Sequence, residues 1–349
     1  MLNNYLETVH NIKREIWVDY LKVIAIFLVI FPHIGVGEKF FITSMIINIP
    51  LFFFCSGYLY KEIEIKEAFK KYFKRLIIPY ICFNIFEFVF EAFLEHHEST
   101  TAFLHNLISN FDMNYIITFF TVDVLGAHFN WMTWYLIALF VVLIIFTTLK
   151  QYLKNDKQLT AAVLILVALA YFLNMFEIQI PWEVNSALVG MAFFFVGYLF
   201  KKYGLHESMS SKNILNLIIL IIFPVISIFL ALKGNKFSWF TGQIYGNIIL
   251  SYASSFLLLF FMILVAYTIQ NNDNNRIIYL ISTNTLTIMC LGISAIKLSD
   301  KTMHLSSLNT VDKIVLTIII LLILSIVGEL LTRYAPVIVG RKKIKIDNE

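Results

Sequence analysis

Apolar runs of about twenty residues recur ten times between Trp17 and Tyr334, and this recurrence decides what the chain can become. A helix rises 1.5 Å per residue, so about 20 residues cross the roughly 30 Å hydrocarbon core of a bilayer. Inside that core no water satisfies backbone N–H and C=O groups, so such runs form helices. They cover approximately 17–35, 40–60, 76–94, 131–149, 159–176, 182–200, 213–232, 246–269, 277–297 and 312–334. Composition agrees: 59% of the 349 residues are hydrophobic, 14% are charged and the mean hydropathy is +0.78. Soluble globular chains do not have these values. The expected fold is an all-α integral membrane protein of about ten transmembrane helices. It forms a single membrane-embedded domain over residues 1–349, since no loop is long enough to fold separately. The first run has no small-residue cleavage site and is expected to be retained. Segment 114–125 is apolar but too short to cross, so an interfacial or re-entrant helix is expected there.

Loop charges set an orientation. With the N-terminus inside, 20 of the 27 lysines and arginines fall on the cytoplasmic side. They include Lys13, Arg14, six residues from Lys61 to Arg75, and Arg341, Lys342, Lys343 and Lys345. Six fall outside, and Lys22 lies within the first run. This bias places both termini in the cytoplasm of a multi-pass protein of the plasma or inner membrane. The net charge of +4 is scattered over short loops, so no nucleic-acid partner is expected. Cys55, Cys82 and Cys290 all lie in apolar runs and read as core residues without a disulfide. The outer segment from Glu95 to Asn130 contains no lysine or arginine, but it does contain His96, His97, Glu98, His105, Asp112, Asp123 and His128. Adjacent histidines diverge and no second cluster has zinc-like spacing, so no metal site is expected and a solvated loop over the site is the default.

Ionisable residues at membrane depth are expensive, and they point to where chemistry takes place. Asp19, Lys22, Ile26, Val29 and His33 are spaced three, four, three, four and share one face of the first helix. Lys22 and His33 are eleven residues apart, roughly 16 Å along the axis. Pro32 frees a backbone carbonyl and permits a kink that would turn His33 into a cavity. A structural reading, with Asp19 and Lys22 paired at the interface and His33 bonded to a neighbouring helix, stands level with a catalytic one. Ser56–Gly57 suits close helix packing better than nucleophilic catalysis, because no G-x-S-x-G elbow surrounds the serine. The stretch KKYFKRLIIPY (residues 70–80) is a topological anchor, or else Lys74 and Arg75 hold a polyanion such as the phosphates of coenzyme A. Asn84, Glu87 and Glu91 form a polar stripe whose expected partners are Lys22 or His33. Glu329 and Arg333 have the order of a helix ion pair. Trp131, Trp134 and Tyr135 are expected in an aromatic belt, with stacking on a sugar face as the functional alternative. No Walker loop, Rossmann glycine pattern, HExxH or kinase signature is present, so phosphoryl and hydride transfer lack a basis.

Taken together, these segments resemble the acyltransferase-3 family of integral-membrane O-acyltransferases, particularly members that modify cell-surface polysaccharides. The resemblance rests on Arg14 followed by DYLKVIAIFLVIFPH (19–33), PLFFFCSGYLY (50–60), KRLIIPY (74–80) and WYLIALF (134–140). Weaker similarity continues at TNTLTIM (283–289) and RYAPVIVGRKK (333–343). The resemblance implies an O-acetyltransferase of about ten helices that moves an acyl group, usually acetyl, from cytoplasmic acyl-CoA to a hydroxyl of a glycan. The acyl-CoA is a substrate, and no bound cofactor is implied. His33 matches the family's first-helix histidine. Lys22 matches a basic residue that is arginine in many members, and Arg75 matches the basic residue ahead of the helix-three proline. His33, Lys22 and Asp19 are thus the expected catalytic group, with Arg75, Lys74, Glu87, Glu91 and Trp134 as candidates for binding donor or acceptor. Many relatives carry a histidine where this chain has Gly292, so no ninth-helix histidine is expected to act. The physical chemistry is consistent: an imidazole can take the proton of a sugar hydroxyl during attack on a thioester. The alternative is a polysaccharide or small-molecule transporter, which also fits ten helices with intramembrane charges, although no paired inverted repeats are evident.

Overall fold

In the computed structural model, which describes residues 15–96, 99–121, 130, 132–208, 214–239, 242–270 and 275–341, the apolar runs fold as helices. The first are α1 (Ile16–His33), α2 (Glu38–Met45), α3 (Asn48–Tyr58), α4 (Ile65–Tyr72), a π-helical turn (Phe73–Ile77) and α5 (Ile78–His96). Two short helices follow, α6 (Thr100–Asn110) and α7 (Met113–Thr121), and then α8 (Trp134–Tyr152), α9 (Asp156–Met175), α10 (Val184–Lys202) and α11 (Ile214–Leu232). A two-stranded hairpin, β1 (Lys236–Ser238) and β2 (Gln243–Tyr245), separates α11 from α12 (Ile248–Ile269). The chain ends with α13 (Arg276–Thr283), α14 (Thr285–Met303) and α15 (Thr310–Tyr334).

Among the described residues, eight helices are long and apolar enough to cross a membrane, with α2–α3 and α4–α5 each taken as one span. The count is nine if the pair α13–α14, bent by 77°, is one span. Ten were expected; the two runs outside the count of eight are 213–232, where α11 is 19 residues long but its side chains are described only from Ile219, and 277–297. The run at 277–297 is broken at Asn284, whose side-chain amide donates back to Leu280 O at 2.9 Å and so competes with the helix ladder. α15 passes close to this break because Gly328 carries no Cβ; one placed there would lie 2.7 Å from Asn284 Oδ1. α7 is nine residues long and does not cross, and the Tyr80 hydroxyl ties it to α5 by donating to Phe119 O at 2.8 Å.

Helix packing follows the small residues. A Cβ on Gly57 would lie 1.8 Å from Phe194 O, and one on Gly197 would lie 2.1 Å from Phe54 O, so α3 and α10 touch backbone to backbone. Ser56–Gly57 is therefore a packing site, as its small side chains suggested. α1 is central and contacts α2, α3, α12, α13, α14 and α15. Its polar stripe faces inward: Asp19, Ile26 and Val29 are buried, and Lys22 and His33 are half-buried. Glu329 and Arg333 form no ion pair among the described residues; the Arg333 guanidinium lies over the Tyr334 ring instead, 5.5 Å from its centroid. Between the runs 213–232 and 246–269, β1 and β2 pair antiparallel with Phe237 opposite Ile244. Both residues are buried, so the hairpin packs into the helix bundle. Arg14, His97, Glu98, Asp123, His128, Trp131, Lys342 and Lys343 lie outside the described residues.

Candidate active site

The site starts from a proline. Pro32 has no N–H, so the carbonyl of Leu28, four residues earlier, loses its helix partner. Asn48 replaces it: its Nδ2 donates to Leu28 O at 3.4 Å, while its Oδ1 accepts the N–H of Ile49 at 2.7 Å and starts α3. One buried amide thus joins the end of α1 to the beginning of α3. A turn further on, His33 Nδ1 lies 2.5 Å from Val29 O. A carbonyl can only accept, so Nδ1 carries the hydrogen and Nε2 is the basic nitrogen of the neutral ring. The imidazole also packs edge-on against Phe41, with centroids 5.7 Å apart.

His33 lines a cavity of about 500 Å³, including its mouth. Trp134, Tyr135 and Trp239 supply aromatic walls, and Met45, Met132 and Met289 fill the gaps between them. Its polar groups are His33, Asn48 and the buried Tyr135. Trp134 and Tyr135 are only 6% and 5% exposed, so they are not the aromatic belt that their sequence position suggested. A polar clamp turns them inward. Asn84 donates to Thr133 Oγ1 at 2.9 Å and accepts from Asn130 N at 3.1 Å, and Asn130 Nδ2 donates to Cys290 O at 2.6 Å. These bonds anchor the start of α8 to α5 and α14, and the two rings follow.

Trp239 was missed from sequence. It lies just beyond β1, is 1% exposed, and its indole N–H donates to Met45 O at 2.5 Å. Ser186 holds the same turn by donating to Trp239 O at 2.5 Å. A lone tryptophan in a short polar stretch gave no periodic signal; only the hairpin carries it to the cavity.

The other candidates fall elsewhere. Glu87 is fully buried, but its partners are Lys297 Nζ at 2.9 Å and the Ser294 hydroxyl, not Lys22 or His33. Lys297 also pairs with Glu91. Lys297 lies within α14, which continues to Met303. Neither carboxylate lines the cavity. A buried carboxylate needs such partners to be tolerated, which explains the stripe without chemistry. Asp19 and Lys22 lie near the opposite end of α1, and both act electrostatically on Cys55 in α3. Lys74 and Arg75 are exposed on the π-turn at that same basic end. Gly292 faces α1: a Cβ there would lie 2.5 Å from Ile30 Cδ1 and 3.2 Å from Met132 Sδ, so a histidine would have to displace both. Among the described residues no group of three His, Cys, Asp or Glu side chains could hold a metal ion.

The described architecture is therefore a multi-pass helical bundle with a histidine-lined cavity at one end of its central helix and a basic surface at the other. No curated protein and no solved structure matches the chain. The acyltransferase-3 model, described as an acyltransferase domain, matches residues 15–332, a stretch that contains His33, Trp134, Trp239 and the basic π-turn. The chain belongs to the acyltransferase-3 family and is a membrane acyltransferase.

Proposed function

We propose that this acyltransferase moves an acyl group, most simply acetyl, from cytoplasmic acyl-CoA to a hydroxyl of a cell-surface or lipid-linked glycan, with His33 as the general base. The observation that carries this reading is the His33 Nδ1–Val29 O bond, which fixes the tautomer with a basic Nε2 on a ring lining the aromatic cavity. In the reaction the acceptor O–H gives its proton to Nε2 as its oxygen attacks the thioester carbonyl. The tetrahedral intermediate collapses with cleavage of the C–S bond, and the imidazolium returns the proton to the departing thiolate. Tyr135, which lines the same cavity, offers its hydroxyl as a donor to the developing oxyanion. Trp134 and Trp239 offer flat apolar faces of the kind that pack against a sugar ring. Lys22, with Asp19 beside it in sequence, supplies positive charge on the path from the basic end, where Lys74 and Arg75 meet the donor's phosphates. With both termini in the cytoplasm of the plasma or inner membrane, that end faces the acyl-CoA pool. The test is release of free thiol from acetyl-CoA by the purified, reconstituted protein with a glycan acceptor, followed by mass spectrometry of the acceptor. An acceptor that gains an acetyl ester supports the proposal; thiol release without ester, or neither, counts against it.

A further inference from the structure

The turn after α15 folds back onto the π-turn that links α4 to α5. Gly340, within it, has φ +68°, a conformation that L side chains rarely adopt. A Cβ there would lie 2.4 Å from Arg75 O and 2.8 Å from Arg75 Cα. Only glycine permits this approach, and it places the next residue, Arg341, beside Arg75. Arg341 is half-buried, and its Nη2 donates to Thr283 O at 2.5 Å, where α13 ends. Capping that helix end occupies one nitrogen of a guanidinium that has five N–H donors.

The charged groups that act on Arg75 and Lys71 are all cationic. Arg75 and Arg341 act on each other electrostatically, as do Arg75 and Lys71, and Lys71 and Lys61. Among the described residues no carboxylate acts on Arg75 or Lys71, and no ion pair includes Arg75 or Arg341. At the same end of the chain's helices Lys150 pairs with Glu62 and Lys202 with Asp156. Two guanidiniums that act on each other in this way repel unless an anion lies between them. The element that presents Arg75 is a π-turn, a distortion found most often where a helix serves a site.

We propose that Arg75 and Arg341 form a two-guanidinium site for a phosphoryl anion, and that the phosphoanhydride of the acyl donor is its ligand. The forked donors of arginine match phosphate oxygens pairwise, which lysine cannot do. The ligand assignment rests on the acyl-CoA reading above. The same chemistry is offered by the headgroup of an anionic lipid, so the experiment has two arms. In the first, the full chain in phosphatidylcholine nanodiscs is titrated with desacyl-CoA, which binds without turnover. R75Q and R341Q should each weaken binding about tenfold or more, with R341K in between. G340A, which changes no charge, should also weaken it by pushing the turn off Arg75. R341Q keeps an amide donor for Thr283 O, so lost binding at unchanged thermal stability separates the anion role from the helix cap. In the second arm, phosphatidylglycerol is added to the nanodiscs. Stabilisation of the wild type that R341Q loses, together with desacyl-CoA binding equal in both, would keep the anion site but overturn the donor as its ligand. Desacyl-CoA binding and lipid response both unchanged in R75Q and R341Q would overturn the site and leave the proposed acyl transfer standing. A wild type that does not bind desacyl-CoA would overturn the donor assignment itself.

Discussion

At His33 the decisive contact is with the helix that carries it. The carbonyl of Val29 holds Nδ1–H, so the nitrogen that can accept a proton is set by backbone geometry. If His33 is the base, H33Q should lose about 10²-fold or more in acyl transfer at unchanged yield, because glutamine can bond Val29 O but cannot take the proton. Near wild-type transfer by well-folded H33Q would reduce the residue to scaffolding. The pH profile has a definite sign. A base works only when neutral, so the rate of acyl transfer should fall as the pH drops and the imidazole takes up a proton, and H33Q should lose that limb. At the other end of α1, K22R should retain transfer and K22A should lose it while still inserting. Full activity in K22A would remove Lys22 from the donor path.

At the scale of elements, two joints hold the site in place. The first is the α3–α10 contact, where Gly57 meets the backbone of Phe194 with no space for a methyl group. G57A should therefore cost at least about 2 kcal/mol, read as a lower midpoint of thermal unfolding in detergent. A midpoint equal to wild type would mean that the helices are not so close. The second joins α5 to α14 through Glu87, Lys297 and Glu91. K297M leaves the Glu87 carboxylate buried without its cation and should cost about 3 kcal/mol or more. Adding E87L to K297M should recover most of that loss, since the pair is then replaced by apolar side chains. If the double variant is no better than K297M, the carboxylate has a function beyond the pair.

For the molecule as a whole, the loop charges make the strongest commitment. Cysteines substituted at Ser306 and at Lys154, both exposed, in a background without the three native cysteines, should label from outside and only after permeabilisation, respectively. Labelling of both from one side would overturn the orientation, and with it the supply of acyl-CoA to the basic end.

The helical membrane class, the inward stripe of α1 and the packing role of Gly57 were all legible in the sequence. Each depends on local spacing: run length against bilayer thickness, residues three and four apart on one face, or a missing Cβ. Pro32 likewise announced a freed carbonyl at Leu28. The sequence did not say that Asn48 would answer it, because a side chain reaches a carbonyl twenty residues away only when α1 and α3 pack. The same holds for Trp239, delivered by a hairpin, for Trp134 and Tyr135, turned inward by the Asn84–Asn130 clamp, and for Glu87, whose partner is 210 residues away on α14. Arg341 counted in the sequence only as one of the cytoplasmic basic residues; Gly340 brings it to Arg75. Periodicity determines which face of a helix is polar; which partner that face finds is decided by the packing of helices distant in the chain.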